Sequence, residues 1–205
     1  MIIYICVVAP GLNSFTSTTG KRFQAFLDLD TENRLWFVIQ RRTNKDVGFR
    51  RKWTQYKNGF GDLLGNFWIG NDNLHLLAST PRILRIELEA WDGTKGYAQY
   101  STFQVANEDQ NYRLSVKGFS GSVSRDAFGF HDGSGFSTYD KDVSQLNCAT
   151  AYQCGWWFKN CYDANLNGLY KTAARTGDNN AMLWKYFPSS HIVCTPLKKT
   201  KMMIR

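Results

Sequence analysis

The chain has no apolar stretch near the ~20 residues that a membrane-crossing helix requires, so no helical span is expected within it. Its longest apolar run, Met1 to Ala9, has no basic residue before it and makes a poor signal peptide. It reads better as a buried strand, or as the remnant of a truncated or mis-started chain. None of the five cysteines (Cys6, Cys148, Cys154, Cys161, Cys194) forms a C-x-x-C pair, and His75, His131 and His191 lie far from any mixed ligand pattern. Zinc is therefore not expected. Internal repeats, low-complexity tracts and an inter-domain linker are all missing. So are the patterns of the common catalytic sites. Gly118-Phe119-Ser120-Gly121 is not a nucleophile elbow, and Gly59-x-Gly61-x-x-x-Gly65 misses both the dinucleotide and phosphate-loop spacings. His131-Asp132 has no nucleophile context, and His75 among leucines reads as a structural histidine. No enzymatic activity is expected.

The 205 residues suffice for one domain with its own core. Hydrophobic residues make up 43% and charged residues 20%, an ordinary globular balance, and the 31 rings of Trp, Tyr and Phe amount to an aromatic share of 15%. Large rings let a loop-rich domain bury area with few side chains. The net charge is +8, with basic clusters at Arg41-Arg42, at Arg50-Arg51-Lys52 and at Lys198, Lys199, Lys201 and Arg205. These form a solvated surface or attract polyanions such as sulfated glycans. No recognition helix, finger or RNA-binding strand accompanies them, so nucleic acid is not expected as a partner.

Residues 1–22 run from apolar into a Ser/Thr/Gly/Asn stretch, a loop or edge region. Phe23 to Gln40 is rich in strand formers and predicts two strands joined at Thr31-Glu32-Asn33. Residues 49–65 have helical spacing until Gly59 and Gly61 stop it. Leu84 to Glu89 alternates strictly, Ala98 to Val105 and Tyr112 to Val116 repeat the pattern, and Asp92-Gly93 suits a hairpin turn. The fold class that follows is α+β, with a twisted antiparallel sheet and short flanking helices. From about Gly118 the periodicity fades into a long irregular segment. Disulfides, a metal ion and buried aromatics are the available means of holding it.

Three constellations stand out there. Asp140 and Asp142 at i, i+2 point the same way in an extended segment, so both could reach one hard cation. Such a pair is more often a plain surface feature, and the glycine and glutamate of an EF-hand are missing. Cys148 and Cys161 either close a loop by a disulfide or are two buried thiols; between them Gly155-Trp156-Trp157-Phe158 is core for at least one tryptophan. Asn165-Leu166-Asn167-Gly168 is a tight turn whose amides can satisfy loop carbonyls.

Together these segments resemble the fibrinogen C-terminal (fibrinogen-related) domain of ficolins, tachylectins, tenascins, angiopoietins and invertebrate fibrinogen-related lectins. The resemblance is carried by Trp36 to Arg42, Trp53 to Gly61, Phe67 to Asn71, Leu84 to Trp91, Tyr112-Arg113-Leu114, Phe136-Ser137-Thr138, Asn147-Cys148-Ala149, Gly155-Trp156-Trp157, Asn160-Cys161, Asn165 to Tyr170 and Met203-Ile204-Arg205. Order and spacing hold from about Phe23 to Arg205. The expected organisation is thus a truncated or atypical segment at 1–22 and a domain at 23–205, with a calcium and ligand subdomain from about 118 to 205. The resemblance implies Ca2+ held by Asp140 and Asp142 and by the backbone carbonyls of Ser144 and Leu146. It also implies a Cys148–Cys161 disulfide and a ligand surface at Tyr152, Trp157, Asn160, Cys161, Tyr162, Asp178 and Asn179. The Asn160–Cys161 peptide corresponds to one that is often cis in acetyl-binding members.

Departures from the family pattern bear on the ligand. The N-terminal disulfide is absent, because the segment that carries its cysteine reads Leu27-Asp28-Leu29. Cys6 has no expected partner, and Cys154 and Cys194 are extra thiols able to pair with each other, with Cys6 or with another chain. Tyr152 matches an acetyl-pocket tyrosine, but Tyr162 replaces the expected histidine and Asp178-Asn179 replace a tyrosine-alanine pair. A fibrin-knob pocket is not expected, since Tyr152 stands where that site needs an acid. The reading that follows is a secreted, extracellular recognition domain, a calcium-dependent lectin of innate-immune type binding glycans or acetylated and anionic cell-surface ligands. The alternative is a protein-interaction module of a receptor-ligand or matrix protein of the same fold. Any oligomer is expected through a stalk upstream of this chain.

Overall fold

The computed structural model describes residues 9–30, 32–174, 177–191 and 194–205; the apolar start, Cys6 and Thr31 lie outside the described residues. In chain order the strands are β1 (Gly11–Thr16), β2 (Arg22–Leu29), β3 (Leu35–Arg42), β4 (Phe60–Gly61), β5 (Phe67–Trp68), β6 (Arg82–Glu89), β7 (Lys95–Val105), β8 (Leu114–Gly121), β9 (Ala164–Asn165), β10 (Leu183–Trp184) and β11 (Lys199–Ile204). The helices are α1 (Trp53–Asn58), α2 (Asn71–Ala78) and α3 (Cys148–Tyr152). The expected α+β class and antiparallel sheet are what the chain adopts.

The main sheet runs β1-β2-β3-β11-β6-β7-β8, with β5 pairing β3 and β4 pairing β5. Its centre is the last strand of the chain. Lys201 of β11 sits opposite Arg41 on one side and Glu87 on the other. Alternation decides which residues face inward. In β6, Leu84, Ile86 and Leu88 are buried while Arg85, Glu87 and Glu89 are only partly so. β1, from the Ser/Thr-rich segment before residue 23, forms one edge of this sheet, and its Phe15 packs against Phe23 and Phe37.

The helical spacing over 49–65 yields only the six residues of α1. Gly59 ends it at φ +93°, and a side chain there would meet the Ile69 carbonyl oxygen at 2.8 Å. Gly59 is therefore held by close backbone approach as well as by its dihedral. α2 has no counterpart in the sequence reading; it buries Leu74, Leu77 and Ala78 under the sheet.

Between β8 and β11, the described segments hold little regular structure: a 3-10 turn at Gly129–His131, α3 and the two-residue pair β9–β10. Buried rings supply the cohesion. Trp157 packs against Trp68, Phe103, Phe128, Phe136 and Trp156, with centroids 5.2–6.4 Å apart. Truncating one such ring costs about 3–5 kcal/mol. One disulfide over a short loop is worth about 3 kcal/mol. The aromatic cluster thus outweighs the covalent link.

Candidate functional site

The segment after β8 returns over the inner face of the sheet and presents two adjoining features, an acidic loop and a disulfide-closed surface. In the acidic loop, Asp140 Oδ1 accepts the backbone N–H of Trp53 at the start of α1, and the Thr138 hydroxyl. Asp142 Oδ1 accepts the Ser144 N–H and hydroxyl, while its Oδ2 accepts the Ala149 N–H of α3. The Ser144 hydroxyl oxygen in turn accepts the Cys148 N–H. Asp142 therefore ties the loop to the helix that carries Tyr152. Lys141, between the two carboxylates in sequence, lies over the Trp53 ring at 3.8 Å. Among the described residues no N–H or O–H donates to the backbone carbonyls of Ser144 and Leu146, or to Asp140 Oδ2.

These oxygens suit a hard cation: two carboxylates, two unclaimed carbonyls and no soft donor. Among the described residues no group of three or more His, Cys, Asp and Glu side chains comes together to hold a metal. A cation here would depend on the carbonyls as well as on Asp140 and Asp142.

The disulfide joins Cys148 and Cys161 across a sequence separation of 13 residues, with Cα atoms 5.3 Å apart. Tyr152 projects from α3 and meets the Tyr162 ring edge-on at 4.7 Å. Tyr162 is nearly buried, its hydroxyl donates to the Asn179 carbonyl, and Lys185, paired to Asp163 at 2.7 Å, lies over its ring. Burial raises the Tyr162 phenol above its ordinary value, so it stays a neutral donor. Asp178 faces Lys171 at 3.9 Å, and Asn160 is exposed. The fold thus brings Tyr152, Cys161, Tyr162 and Asn179 together.

One expectation is corrected, and two open points are answered. Trp157 lines no surface. It is fully buried, and its indole N–H donates to the Tyr112 carbonyl at 2.8 Å, because its ring is the centre of the aromatic cluster. The Asn160–Cys161 peptide is trans. The turn closes instead through Cys161 at φ +44° and a hydrogen bond from the Lys159 N–H to the Cys161 carbonyl, and the one cis bond among the described residues is Phe187–Pro188. Cys154 and Cys194 are not bridged. Cys154 is buried with its Sγ 3.0 Å from Asn165 Oδ1, and desolvation pushes the thiol up to about 12. It is an inert core group.

Residues without an obvious sequence signal hold this surface in place. His131 is fully buried. Its Nδ1 lies 2.7 Å from the Trp157 carbonyl and its Nε2 3.2 Å from the Ala164 N–H, which assigns a neutral ring protonated on Nδ1. Burial pushes it down to about 4. The ring clamps the two chain segments that flank the Cys161 turn. Gln40 and Arg42, on the inward side of β3, reach the Asn165–Gly168 turn. Gln40 Nε2 donates to the Leu166 carbonyl and Arg42 Nη1 to the Gly168 carbonyl at 3.0 Å, while Arg42 stacks on Phe49 at 3.8 Å. Desolvation lowers the Arg42 guanidinium to about 10, still far above neutrality. Asn167 Nδ2 donates to the Gly155 carbonyl, the loop-satisfying role expected of this turn. The strand alternation of β3 was the one available clue to Gln40 and Arg42.

Comparison with known proteins agrees with this architecture. The family model described as fibrinogen beta and gamma chains, C-terminal globular domain, matches residues 12–205. The chain belongs to the fibrinogen C-terminal domain family. Bovine (Bos taurus) angiopoietin-related protein 7 is 40% identical to it over 188 residues, covering 89% of this chain and 53% of that protein. Human (Homo sapiens) ficolin-3 is 37% identical over 189 residues, covering 91% and 62%. The fibrinogen-like globe domain of human ANGPTL2 superposes with a TM-score of 0.88 at 32% identity, covering 96% of this chain and 92% of that one. The chain spans about half the length of the curated relatives it matches.

As a fibrinogen-like domain it is a non-enzymatic recognition and interaction module of the secreted, extracellular class, and its one observed disulfide accords with an oxidising compartment. No described helix is long and apolar enough to cross a membrane.

Proposed function

We propose that this fibrinogen-like domain is the recognition module of a receptor-ligand or matrix protein, and that it contacts a protein partner through the disulfide-closed surface around Tyr152, with calcium in the adjoining acidic loop. The observation that carries this reading is the placement of Tyr162. Its ring stands against Tyr152 and its hydroxyl on the Asn179 carbonyl, at the position where acetyl-binding members carry a pocket histidine. What remains outward is a low surface of half-buried Tyr152, exposed Asn160 and Asn179, and the exposed loop side chains Val143 and Leu146. Exposed apolar groups rimmed by polar ones suit a protein interface better than a sugar pocket. The several angiopoietins and angiopoietin-related proteins among the relatives support the same choice.

Asp140, Asp142 and the carbonyls of Ser144 and Leu146 would hold the cation. It would neutralise the two carboxylates and stiffen the loop that Asp142 ties to α3. The domain's own groups already position Tyr152; the ion would reduce the freedom of the loop beside it.

The test is binding of the fluorescent domain to cultured cells in millimolar calcium. Binding should survive enzymatic removal of cell-surface glycans and excess N-acetylated sugars, and should be lost when surface proteins are digested with trypsin. A Tyr152→Ala variant should bind weakly while melting like the parent. Loss of binding on deglycosylation, with N-acetylated sugars competing, would restore the lectin reading.

A further inference from the structure

The basic clusters of the sequence are not absorbed by the loop face. Arg41 and Arg42 are adjacent, yet strand alternation sends them to opposite sides of the sheet. Arg42 turns inward to the Gly168 carbonyl, and Arg41 turns outward. In β11 the same alternation turns Thr200 inward, where its hydroxyl donates to Gln40, and leaves Lys199 and Lys201 together on the outward side. The pairing of β11 with β3 and β6 then sets Lys201 beside Arg41, and Lys199 beside Glu89, which itself faces Lys95. Two groups distant in sequence become one basic face, on the side of the sheet away from Leu166–Gly168.

That face is concave. A cavity of about 460 Å3 is lined by Arg41, Arg85, Lys95, Lys199 and Lys201 together with Glu87, Glu89 and Tyr97. Five cations stand against three carboxylates, because Asp28 of β2 also reaches in and pairs with Lys201 at 2.8 Å. Glu89 is occupied by Lys198 at 3.2 Å and Lys199 at 3.1 Å, and Glu87 by Arg85 at 3.1 Å and Lys201 at 3.0 Å. Among the described residues, Lys95 and Arg41 form no ion pair; Arg41 lies over Phe26 and donates to the Leu64 carbonyl. The surplus of positive charge therefore faces solvent.

We propose that this outward face of the central sheet is a second binding site, for an anionic polysaccharide of the sulfated class. The strands that form it, β3, β11, β6 and β7, are interior to the sheet, so their backbone N–H and C=O groups are already paired. An acidic peptide could not add as a strand there and would gain only from its side chains. A densely sulfated chain needs no backbone partner. Arg41 and Lys201 stand about 4.8 Å apart on paired strands, Lys199 follows about 7 Å along β11, and Lys95 lies two strands over beyond Glu89, so such a chain meets several cations at once. Each contact displaces counterions, which makes the binding salt-dependent. Because the loop face lies on the other side, the domain can be retained on a sulfated matrix while that face engages a partner.

Biolayer interferometry with an immobilised heparin-derived oligosaccharide tests this. The domain should bind at roughly physiological salt, with affinity falling steeply as salt rises. The Lys95→Ser/Lys199→Ser variant should bind about tenfold more weakly, since it removes two phosphate-like contacts. Lys95→Arg/Lys199→Arg should bind like the parent. The Lys45→Ser/Arg50→Ser control removes the same charge from an exposed loop and should change affinity less than about twofold. Thermal melting shows that each variant is folded. Equal weakening in the two serine variants would reduce the effect to net charge and overturn the site. Absence of binding by the parent at physiological salt would overturn it also. Polyglutamate binding as tightly as heparin, with the same variant dependence, would overturn the glycan assignment in favour of an acidic polypeptide.

Discussion

His131 makes the domain's stability depend on pH in a calculable way. The ring is protonated on Nδ1, which donates to Trp157, and its Nε2 accepts from Ala164. Protonating Nε2 would place two N–H groups head to head in a fully buried site. Desolvation is the main reason that the folded value falls from 6.5 to about 4, with Asp163 opposing it and Lys185 adding to it slightly. Between these two values the unfolded chain binds more protons than the folded one, so stability falls as the pH is lowered through the interval. At about 1.4 kcal/mol per pH unit, acidification from about 6.5 to 5 removes about 2 kcal/mol, and about 3 kcal/mol is gone by pH 4. Above 5 the carboxylates contribute little. Glu108, for example, is held below its ordinary value by Lys57 and Trp53, so its contribution is lost only at lower pH. Urea unfolding of the oxidised domain, followed by tryptophan fluorescence at pH about 7.5, 6 and 5, gives the slope. His131→Gln should be less stable throughout by about 1–3 kcal/mol, because buried partners go unpaired, but nearly flat over the same range. A parent domain whose stability does not change between pH 7.5 and 5, or a variant that keeps the parent's slope, would refute the neutral clamp.

Calcium at about 10 mM should stabilise the domain by roughly 1.4–2.7 kcal/mol if the loop has the affinity usual for extracellular modules. Asp140→Asn, which keeps the Oδ1 acceptor for Trp53, should abolish that calcium-dependent gain in differential scanning calorimetry and change little in EDTA; an undiminished gain would remove Asp140 from the site. Asp142→Ala should destabilise in both buffers, since Asp142 also holds Ser144 and Ala149. Replacing Cys148 and Cys161 by alanine should cost about 3 kcal/mol, read as a shift in urea midpoint. Gly168→Ala should cost about 1–3 kcal/mol by the same assay, because its Cβ would lie 2.3 Å from the Ala181 carbonyl oxygen.

Much of the sheet was legible because a half-buried strand writes its two faces into every second residue. Leu84, Ile86 and Leu88 declared the inner face of β6 this way, and the turn at Asp92-Gly93 came with it. The acidic pair and the two cysteines of the disulfide were visible as residue types at a spacing. α2 was missed because eight residues give barely two turns of periodicity. Trp157 was misplaced because adjacent tryptophans in an irregular segment carry no period, and only packing against Phe103 and Phe136 from other elements assigns one to the core. His131 looked idle because its two partners, Trp157 and Ala164, lie 26 and 33 residues away.

From its sequence alone this protein is a fibrinogen-like recognition domain with a sheet, an acidic loop and a cysteine-closed segment, since local alternation, residue chemistry and motif order are short-range or additive properties. Tertiary structure alone decided which groups meet. Closure of β11 between β3 and β6 gathered Arg41 with Lys199 and Lys201 on one face and set Arg42 and Gln40 against the Asn165–Gly168 turn on the other. The seating of Tyr162 between Tyr152 and the Asn179 carbonyl likewise depends on chain segments that meet only in the folded core, where burial makes each unpaired polar group costly and so selects one arrangement.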